Sequence, residues 1–437
     1  MEKLKFIMYT NKMKKIKVLL SAFLLIGCIL PINIFATEPT NTPANGDSLS
    51  LHAQSAIIMD AKSGTILYEK NGDAQHYPAS ITKILTLYLA LQKLDDNATL
   101  TTTHEAIDAV PRSSSHVALD YDEIISVKDL EYAMMLASAN DAANVLATGI
   151  SGDLSSFAQL MNETAKELGC TNSNFVNANG LHDDNHKTSA KDIALIMQTL
   201  IKDQRARDIM ATVSYSMSPT NKQSEQRTFS TAFNMIKNTE FADERVEGGK
   251  NGYTPEAGYT SVAYALYNNL EIIMVVMAEP DADSRYSDFN KMMEFAFANY
   301  KTVVLDAARI GEKAITIVEN EQEHDVTFYM DSAINILLPF STDESLISSV
   351  IEVEDTSSVE SAKARVDILL GGQKIGSANL KVRDFVAVEE PVEQDEQEET
   401  IKDRFMALTG LDIASLIVLG LFVLLIVFKS LSRITSI

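Results

Sequence analysis

The order in which apolar periodicities follow one another constrains this chain more than any other property. Residues 55–70 (SAIIMDAKSGTILYEK) hold two apolar runs around Ala61-Lys62-Ser63-Gly64, the pattern of a hairpin. Helical periodicity fills the next stretch, at residues 80–94, 128–147, 154–168 and 190–202. Strand-like apolar runs return at 258–267 and 270–277, separated by Asn268-Asn269, and 285–300 reads as a closing helix. Strands, then helices, then strands again predict an α/β (α+β) domain over residues 49–301.

With 437 residues the chain has room for about two or three domains. Short strand-like runs without helices, at 314–318, 326–330, 334–338, 350–353, 364–370 and 374–382, predict a second, all-β module over residues 302–388. The acidic run EEPVEQDEQEE lies in residues 389–404, which read as a solvated linker. A hydrophobic content of 46% rules out wholesale disorder, and a formal net charge of -23 argues against a nucleic-acid footprint. The two cysteines, Cys28 and Cys170, exclude a disulfide scaffold and a zinc site built on several thiolates.

Both ends of the sequence point to a membrane. Lys12, Lys14, Lys15 and Lys17 precede an apolar run at 18–30, and Ile34-Phe35-Ala36 supplies a small residue for cleavage, so residues 1–36 read as a secretory signal. Leu25-Ile26-Gly27-Cys28 also resembles a lipobox. Residues 37–48, rich in Thr, Pro, Asn and Gly, read as a linker. Residues 411–429 are apolar and long enough for a transmembrane anchor, and Lys429 and Arg433 place the tail in the cytoplasm. The expected location is extracytoplasmic, tethered to the cell membrane.

No HExxH or GxSxG occurs, which argues against a zincin and an α/β-hydrolase elbow. His182 and His186 bracket Asp183 and Asp184 like a metal site, but Gly180, Leu181 and Asn185 make the segment a loop, and no metal is expected there. Three other segments carry more. Ser80 and Lys83, in PASITK, fall one turn apart at the start of an apolar helix. Such a pair is either a capping hydroxyl with an exposed lysine or a nucleophile with its base, because a buried lysine loses its charge. Ser138-Ala139-Asn140 interrupts or ends an apolar helix and could simply cap it. Lys250-Asn251-Gly252-Tyr253, flanked by glycines before the strand pair, is either a turn or a strand edge open to a substrate backbone.

In this order the three resemble the penicillin-interacting serine enzymes, whose pattern is S-x-x-K, then S-x-N, then K-T-G. More narrowly the chain resembles the D-alanyl-D-alanine carboxypeptidases among the low-molecular-weight penicillin-binding proteins. The flanks add to the likeness, with Phe175-Val176-Asn177, Gly180-Leu181-His182, Gly252-Tyr253-Thr254 and Ala257-Gly258-Tyr259. The resemblance implies a β-lactamase/transpeptidase-like fold, with a mixed sheet against a helical cluster, and the removal of the terminal D-Ala from peptidoglycan stem peptides. It implies Ser80 as nucleophile, Lys83 as base and Ser138 as proton relay. Asn140, Lys250, Asn251, Gly252 and Tyr253 would bind substrate, with no cofactor or metal and with β-lactams as acylating inhibitors. A β-lactamase and a catalytically dead cell-wall scaffold are the rival readings. The sequence departs from the pattern twice. Asn251 stands where a threonine is usual, and Glu271 falls where relatives carry an arginine near the substrate carboxylate.

Overall fold

The computed structural model describes residues 44–45, 48–236 and 239–387. The signal segment 1–36 with Cys28, the acidic linker 389–404 and the apolar stretch 411–429 lie outside the described residues. Among the described residues no helix is long and apolar enough to cross a membrane.

The chain divides into two compact units, one built from residues up to Asp306 together with Ala333–Ile347, the other from Ala307–Ser332 and the residues from Ser348 onward. The first unit is organised on a six-stranded sheet. Its strands are β1 (Ala44–Asn45), β2 (Ser55–Asp60), β3 (Ile66–Lys70), β8 (Val246–Thr254), β9 (Gly258–Tyr267) and β10 (Leu270–Glu279), in the order β1-β3-β2-β10-β9-β8. Residues 44–45, expected in a linker, pair in parallel with β3. The predicted hairpin joins the later strand pair through antiparallel pairing of β2 with β10, Val276 opposite Ala56 and Met274 opposite Ile58.

Both faces of this sheet are covered, which explains why its central strands are apolar at nearly every position instead of alternating. Side chains still alternate in direction. Ile57, Met59, Ile273, Val275 and Met277 enter one core, while Ala56, Ile58, Ile272, Met274 and Val276 enter another. The first core is closed by a group of helices: α1 (Lys83–Lys93), α2 (His104–Asp108), α3 (Val127–Leu136), α4 (Asn140–Ser151), α5 (Leu154–Glu167), α6 (Ala190–Leu200) and α7 (Gln204–Ala211). The second is closed by α8 (Ser284–Asn299), through Tyr286, Phe289, Met292, Met293 and Ala296. Side-chain oxygens of Ser126, Asp153, Ser189 and Asp203 cap α3, α5, α6 and α7.

Three sequence expectations are corrected. The periodicity over 128–147 is two helices, because the chain breaks at Ala137–Ala139, where Ser138 adopts φ 56°. The segment 80–94 opens with a 3-10 turn, Ala79–Thr82, before α1 begins at Lys83. The run at 334–338 does not belong with the all-β strands. It forms β14 (Ile334–Pro339), which pairs antiparallel with β11 (Tyr300–Leu305) in the first unit.

The second unit contains the turn of helix α9 (Ala307–Ile310) and two small sheets. One is β12 (Lys313–Glu319), β13 (Gln322–Tyr329) and β18 (Lys381–Ala387); the other is β15 (Ile347–Asp355), β16 (Lys363–Leu370) and β17 (Gln373–Asn379). Arg365 crosses the second sheet to Glu354 at 2.6 Å and to Glu352 at 2.5 Å, and bonds Asp367 at 3.0 Å.

Candidate active site

Ser80 sits in the 3-10 turn and Lys83 is the first residue of α1, so one turn brings the hydroxyl and the amine within 3.0 Å. Lys83 is fully buried and no side chain caps the turn, so the reading of Ser80 as a cap beside an exposed lysine does not apply. Its Nζ also donates to Asn140 Oδ1 at 2.7 Å and to the Asn179 carbonyl at 2.6 Å. All three partners are uncharged. Burial first, then the positive charge of Lys250, holds the Lys83 amine well below the usual lysine range, and Asp141 opposes them only in part.

A neutral amine has two N–H bonds and one lone pair. The Asn140 and Asn179 oxygens can only accept, so they take the two hydrogens. The lone pair is left facing Ser80 Oγ, whose O–H can donate to it. The geometry therefore suits a base poised on a nucleophile.

Facing this pair is a second one. Lys250 Nζ lies 3.0 Å from Ser138 Oγ and donates to the Asn251 carbonyl at 2.7 Å. Ser138 does not cap α4; the residue at the cap is Ala139, without a side-chain bond. Lys250 is buried, and burial followed by the charge of Arg285 brings it down to about 7. Lys250 lies within β8, a full strand of the sheet where the sequence showed only a glycine-rich turn or edge. Gly252 explains the composition. A methyl group there would sit 2.7 Å from Ser80 N and 2.5 Å from Thr260 Oγ1, so only glycine lets the strand pass the turn that carries Ser80. Thr260 Oγ1 donates to the Pro78 carbonyl at 2.8 Å and fixes the same approach. Tyr253 follows, 54% exposed and with its ring 4.4 Å from that of Tyr259.

Loops complete the centre. Gly180 has φ +84° and packs so tightly that a methyl group on it would fall 1.8 Å from the Ala79 carbonyl oxygen. Asn177 Oδ1 accepts from Gly180 N at 2.7 Å, and Asn179 Nδ2 donates to Asn144 Oδ1 at 2.9 Å, which together aim the Asn179 carbonyl at Lys83. Asp141 accepts the N–H groups of Val117 and Leu119 at 3.1 Å and ties that loop beside Asn140. His186 is buried among its own partners. Its Nδ1 accepts from Val176 N at 3.0 Å and its Nε2 lies 2.9 Å from Thr82 Oγ1, which donates to the Ala79 carbonyl. Burial lowers this imidazole to about 4, so one neutral tautomer, with the hydrogen on Nε2, satisfies every bond. His182 faces away from it, stacking edge-on with Tyr77 and lying 3.5 Å from Asp184.

Two sequence expectations change at the substrate end. Asn251 does not offer its carboxamide to the cleft. Its Nδ2 donates to the Ala232 carbonyl at 3.0 Å and to Tyr286 Oη at 2.7 Å, and its Oδ1 accepts from Ser261 Oγ at 2.7 Å. Glu271 is not near the site. The register sets it opposite Leu266, whereas Tyr253 faces Tyr259 and Tyr259 faces Glu279, so Glu271 lies at the far end of the sheet, bonded to Arg207 at 2.5 Å. The cation beside Lys250 is Arg285, from the first turn of α8, with its guanidinium 5.0 Å from the Tyr259 ring and 5.2 Å from the Tyr286 ring. Sequence reasoning missed Arg285 because it searched the preceding strand, and missed Asn179 because the contributing group is a peptide carbonyl, which carries no residue signature.

Two serine–lysine pairs around one strand edge, with no ion pair to either amine among the described residues, fit a class of serine enzymes that transfer an acyl group. The comparisons narrow this class. The family of D-alanyl-D-alanine carboxypeptidases matches over residues 40–281, and the chain belongs to that family. It is 30% identical over 356 residues to the D-alanyl-D-alanine carboxypeptidase DacA of Haemophilus influenzae, covering 76% of this chain and 85% of that one. It is 29% identical over 353 residues to DacF of Bacillus subtilis, covering 79% of this chain and 85% of the relative. Among solved structures, penicillin binding protein 5 from Haemophilus influenzae superposes with a TM-score of 0.61 at 29% identity, covering 77% of this chain and 97% of that one. The Streptomyces K15 DD-transpeptidase does so with 0.53 at 26%, covering 57% and 98%.

Proposed function

We propose that Ser80, Lys83, Ser138 and Lys250 carry out the D-alanyl-D-alanine carboxypeptidase reaction, removing the terminal D-Ala from peptidoglycan stem peptides. The observation that carries this reading is the buried Lys83 Nζ held 3.0 Å from Ser80 Oγ while its other two partners are oxygens that can only accept. Ser80 Oγ attacks the carbonyl carbon of the D-Ala–D-Ala peptide bond while Lys83 Nζ takes its proton. The Ser80 and Tyr253 N–H groups receive the developing oxyanion, a contribution of about 3–4 kcal/mol per donor. Collapse of this adduct breaks the C–N bond. Ser138, backed by Lys250, relays to the departing amine the proton that Lys83 took from Ser80, which leaves Lys83 neutral again. Water then adds to the ester, Lys83 again accepting a proton, and the shortened peptide leaves with Ser80 restored.

Lys250 and Arg285 supply positive potential for the carboxylate of the leaving D-Ala. Asn251 supports this arrangement from behind, holding β8 against α8 through Tyr286. Among the residues that carry the steps, every group needed is a side chain or a peptide N–H. We read the segments outside the described residues as the means of delivery: a signal at 1–36, a linker at 389–404 and an anchor at 411–429, which would keep the catalytic unit on the outer side of the cell membrane.

The test is incubation of the full chain with labelled penicillin and, separately, with a pentapeptide ending in D-Ala-D-Ala. Lasting label on Ser80 together with release of free D-Ala is expected. Rapid hydrolysis of penicillin without D-Ala release would make the protein a β-lactamase, and no reaction with either would make it a scaffold.

A further inference from the structure

Arg285 and Glu279 are buried groups of opposite formal charge that do not pair. Arg285 is 7% exposed; its Nε donates to the Ala282 carbonyl at 3.0 Å, and among the described residues it makes no ion pair. Glu279, at the end of β10, is 2% exposed, and neither of its oxygens receives a donor from the described residues. A buried carboxylate without a donor is among the most unfavourable arrangements a fold can contain. In the sheet Glu279 pairs with Tyr259, whose ring the Arg285 guanidinium overlies, and the acid that acts on it is Asp288 of α8. Asp288 is fully buried and well supplied, accepting from His52 N at 2.6 Å, His52 Nδ1 at 2.9 Å, Ala53 N at 3.0 Å and Lys291 Nζ at 3.1 Å.

We propose that Glu279 is a neutral carboxylic acid that donates its proton to the Asp288 carboxylate, and that it thereby acts as a positioning residue, leaving Arg285 uncommitted for a carboxylate-bearing substrate. Of two neighbouring buried carboxyl groups, the one without donors is the one that keeps a proton. Asp288 is held below the usual carboxylate range, its donors outweighing burial, while burial and then the Asp288 charge push Glu279 up to about 9. The other charges facing Glu279 do not alter this outcome. Asp281, from the turn before α8, adds to the upward push, and only Arg285 opposes it. His52 and Lys291 are bonded to Asp288, and Tyr259 and Tyr286 lie against Arg285. Were Glu279 ionised, it would become the counter-charge of Arg285 and cancel the potential that the cleft presents.

This inference rests on the reading of Arg285 as a partner of the substrate carboxylate, and the experiment separates the two. KM and kcat for a D-Ala-D-Ala peptide are measured on the full chain from pH 7 to 10.5, for wild type, Glu279→Gln and Arg285→Ala. The wild-type KM is expected to rise about tenfold between pH 8 and 10 as Glu279 ionises, with the Glu279→Gln ratio over the same interval below about twofold. Any limb near pH 7 belongs to Lys250 and is common to both. An unchanged alkaline rise in Glu279→Gln overturns the proposal. If Arg285→Ala leaves KM at pH 7.5 untouched, the carboxylate reading fails whatever Glu279 does. If it raises KM while Glu279→Gln still follows wild type, only the role of Glu279 fails. Should Glu279→Gln not fold, infrared spectroscopy of the wild type decides. A protonated-carboxyl C=O band that is present at pH 8 in both wild type and Glu131→Gln, the second buried acid pushed up to about 8, and that disappears above pH 10 is expected; its absence at pH 8 from Glu131→Gln overturns the proposal.

Discussion

Among the described residues Lys83 has three hydrogen-bond partners, and none of them is an acid. That choice of partners, as much as burial, decides its chemistry. Carboxamide, carbonyl and hydroxyl oxygens orient an amine without lending it a counter-charge, so its charged form stays disfavoured. Replacing Lys83 by Ala should leave the circular dichroism spectrum and melting temperature close to wild type while lowering acylation by labelled penicillin at least about a hundredfold; near-normal labelling would remove Lys83 from the mechanism. Lys250 answers to pH in a measurable way. It titrates near about 7 in the fold and near 10.5 when unfolded, so between those values the unfolded chain binds the additional proton. Its contribution to stability is therefore complete above the unfolded value and is lost as pH falls through about 7. Urea unfolding of wild type against Lys250→Met should show a steeper rise of stability from pH 7 to 10 in the wild type; parallel curves would contradict the shifted lysine.

At the scale of elements, the site is held by backbone that ordinary residues resist. Ala79 and Ser138 adopt φ 50° and 56°, in the left-handed region, one immediately before Ser80 and the other beside Asn140's helix. Such conformations persist only where the surroundings over-determine them, here Gly180 against Ala79 and the Ser115 carbonyl accepting Asn140 N at 2.9 Å. Gly180→Ala should destabilise the fold by more than about 2 kcal/mol and displace the Asn179 carbonyl from Lys83. Chemical denaturation combined with a penicillin acylation rate checks both effects, and a variant of wild-type stability would show that the loop can move aside. The same elements mark where sequence was informative. The periodic segments 154–168 and 190–202 and the pair at 258–277 emerged close to their limits, because burial on one face or on both leaves a repeating signal. The interruption at Ser138-Ala139-Asn140 was legible as polar residues in an apolar run, but the left-handed turn that ends one helix and starts the next was not, since it lies in a dihedral angle. β8 was hidden for a related reason: its glycines exist to admit Ser80 and the Phe233 ring, and they erase the apolar alternation by which strands are read.

For the molecule as a whole, the boundary that mattered was drawn by strand pairing, not by composition. The catalytic unit reclaims residues 333–347, so that β11 is paired by β14. A fragment ending at residue 301 would leave the start of β11 unpaired, and it should melt several degrees below the full chain; equal melting temperatures would show that β14 adds nothing to that unit. The candidate site was legible as six of its residues, Ser80, Lys83, Ser138, Asn140, Lys250 and Gly252, because the chemistry fixes their side chains or, for Gly252, the lack of one. Arg285 and the turned-in Asn251 were not, since each depends on how α8 lies under the sheet. The antiparallel pairing of β2 with β10 carries one more consequence. The segment bearing Ser80 hangs from a strand whose neighbour is encoded most of a catalytic unit later, a topology of high contact order. A chain emerging from its N-terminus thus carries Ser80 long before the strand that completes its supporting sheet, and the proposed chemistry has to wait for that last strand.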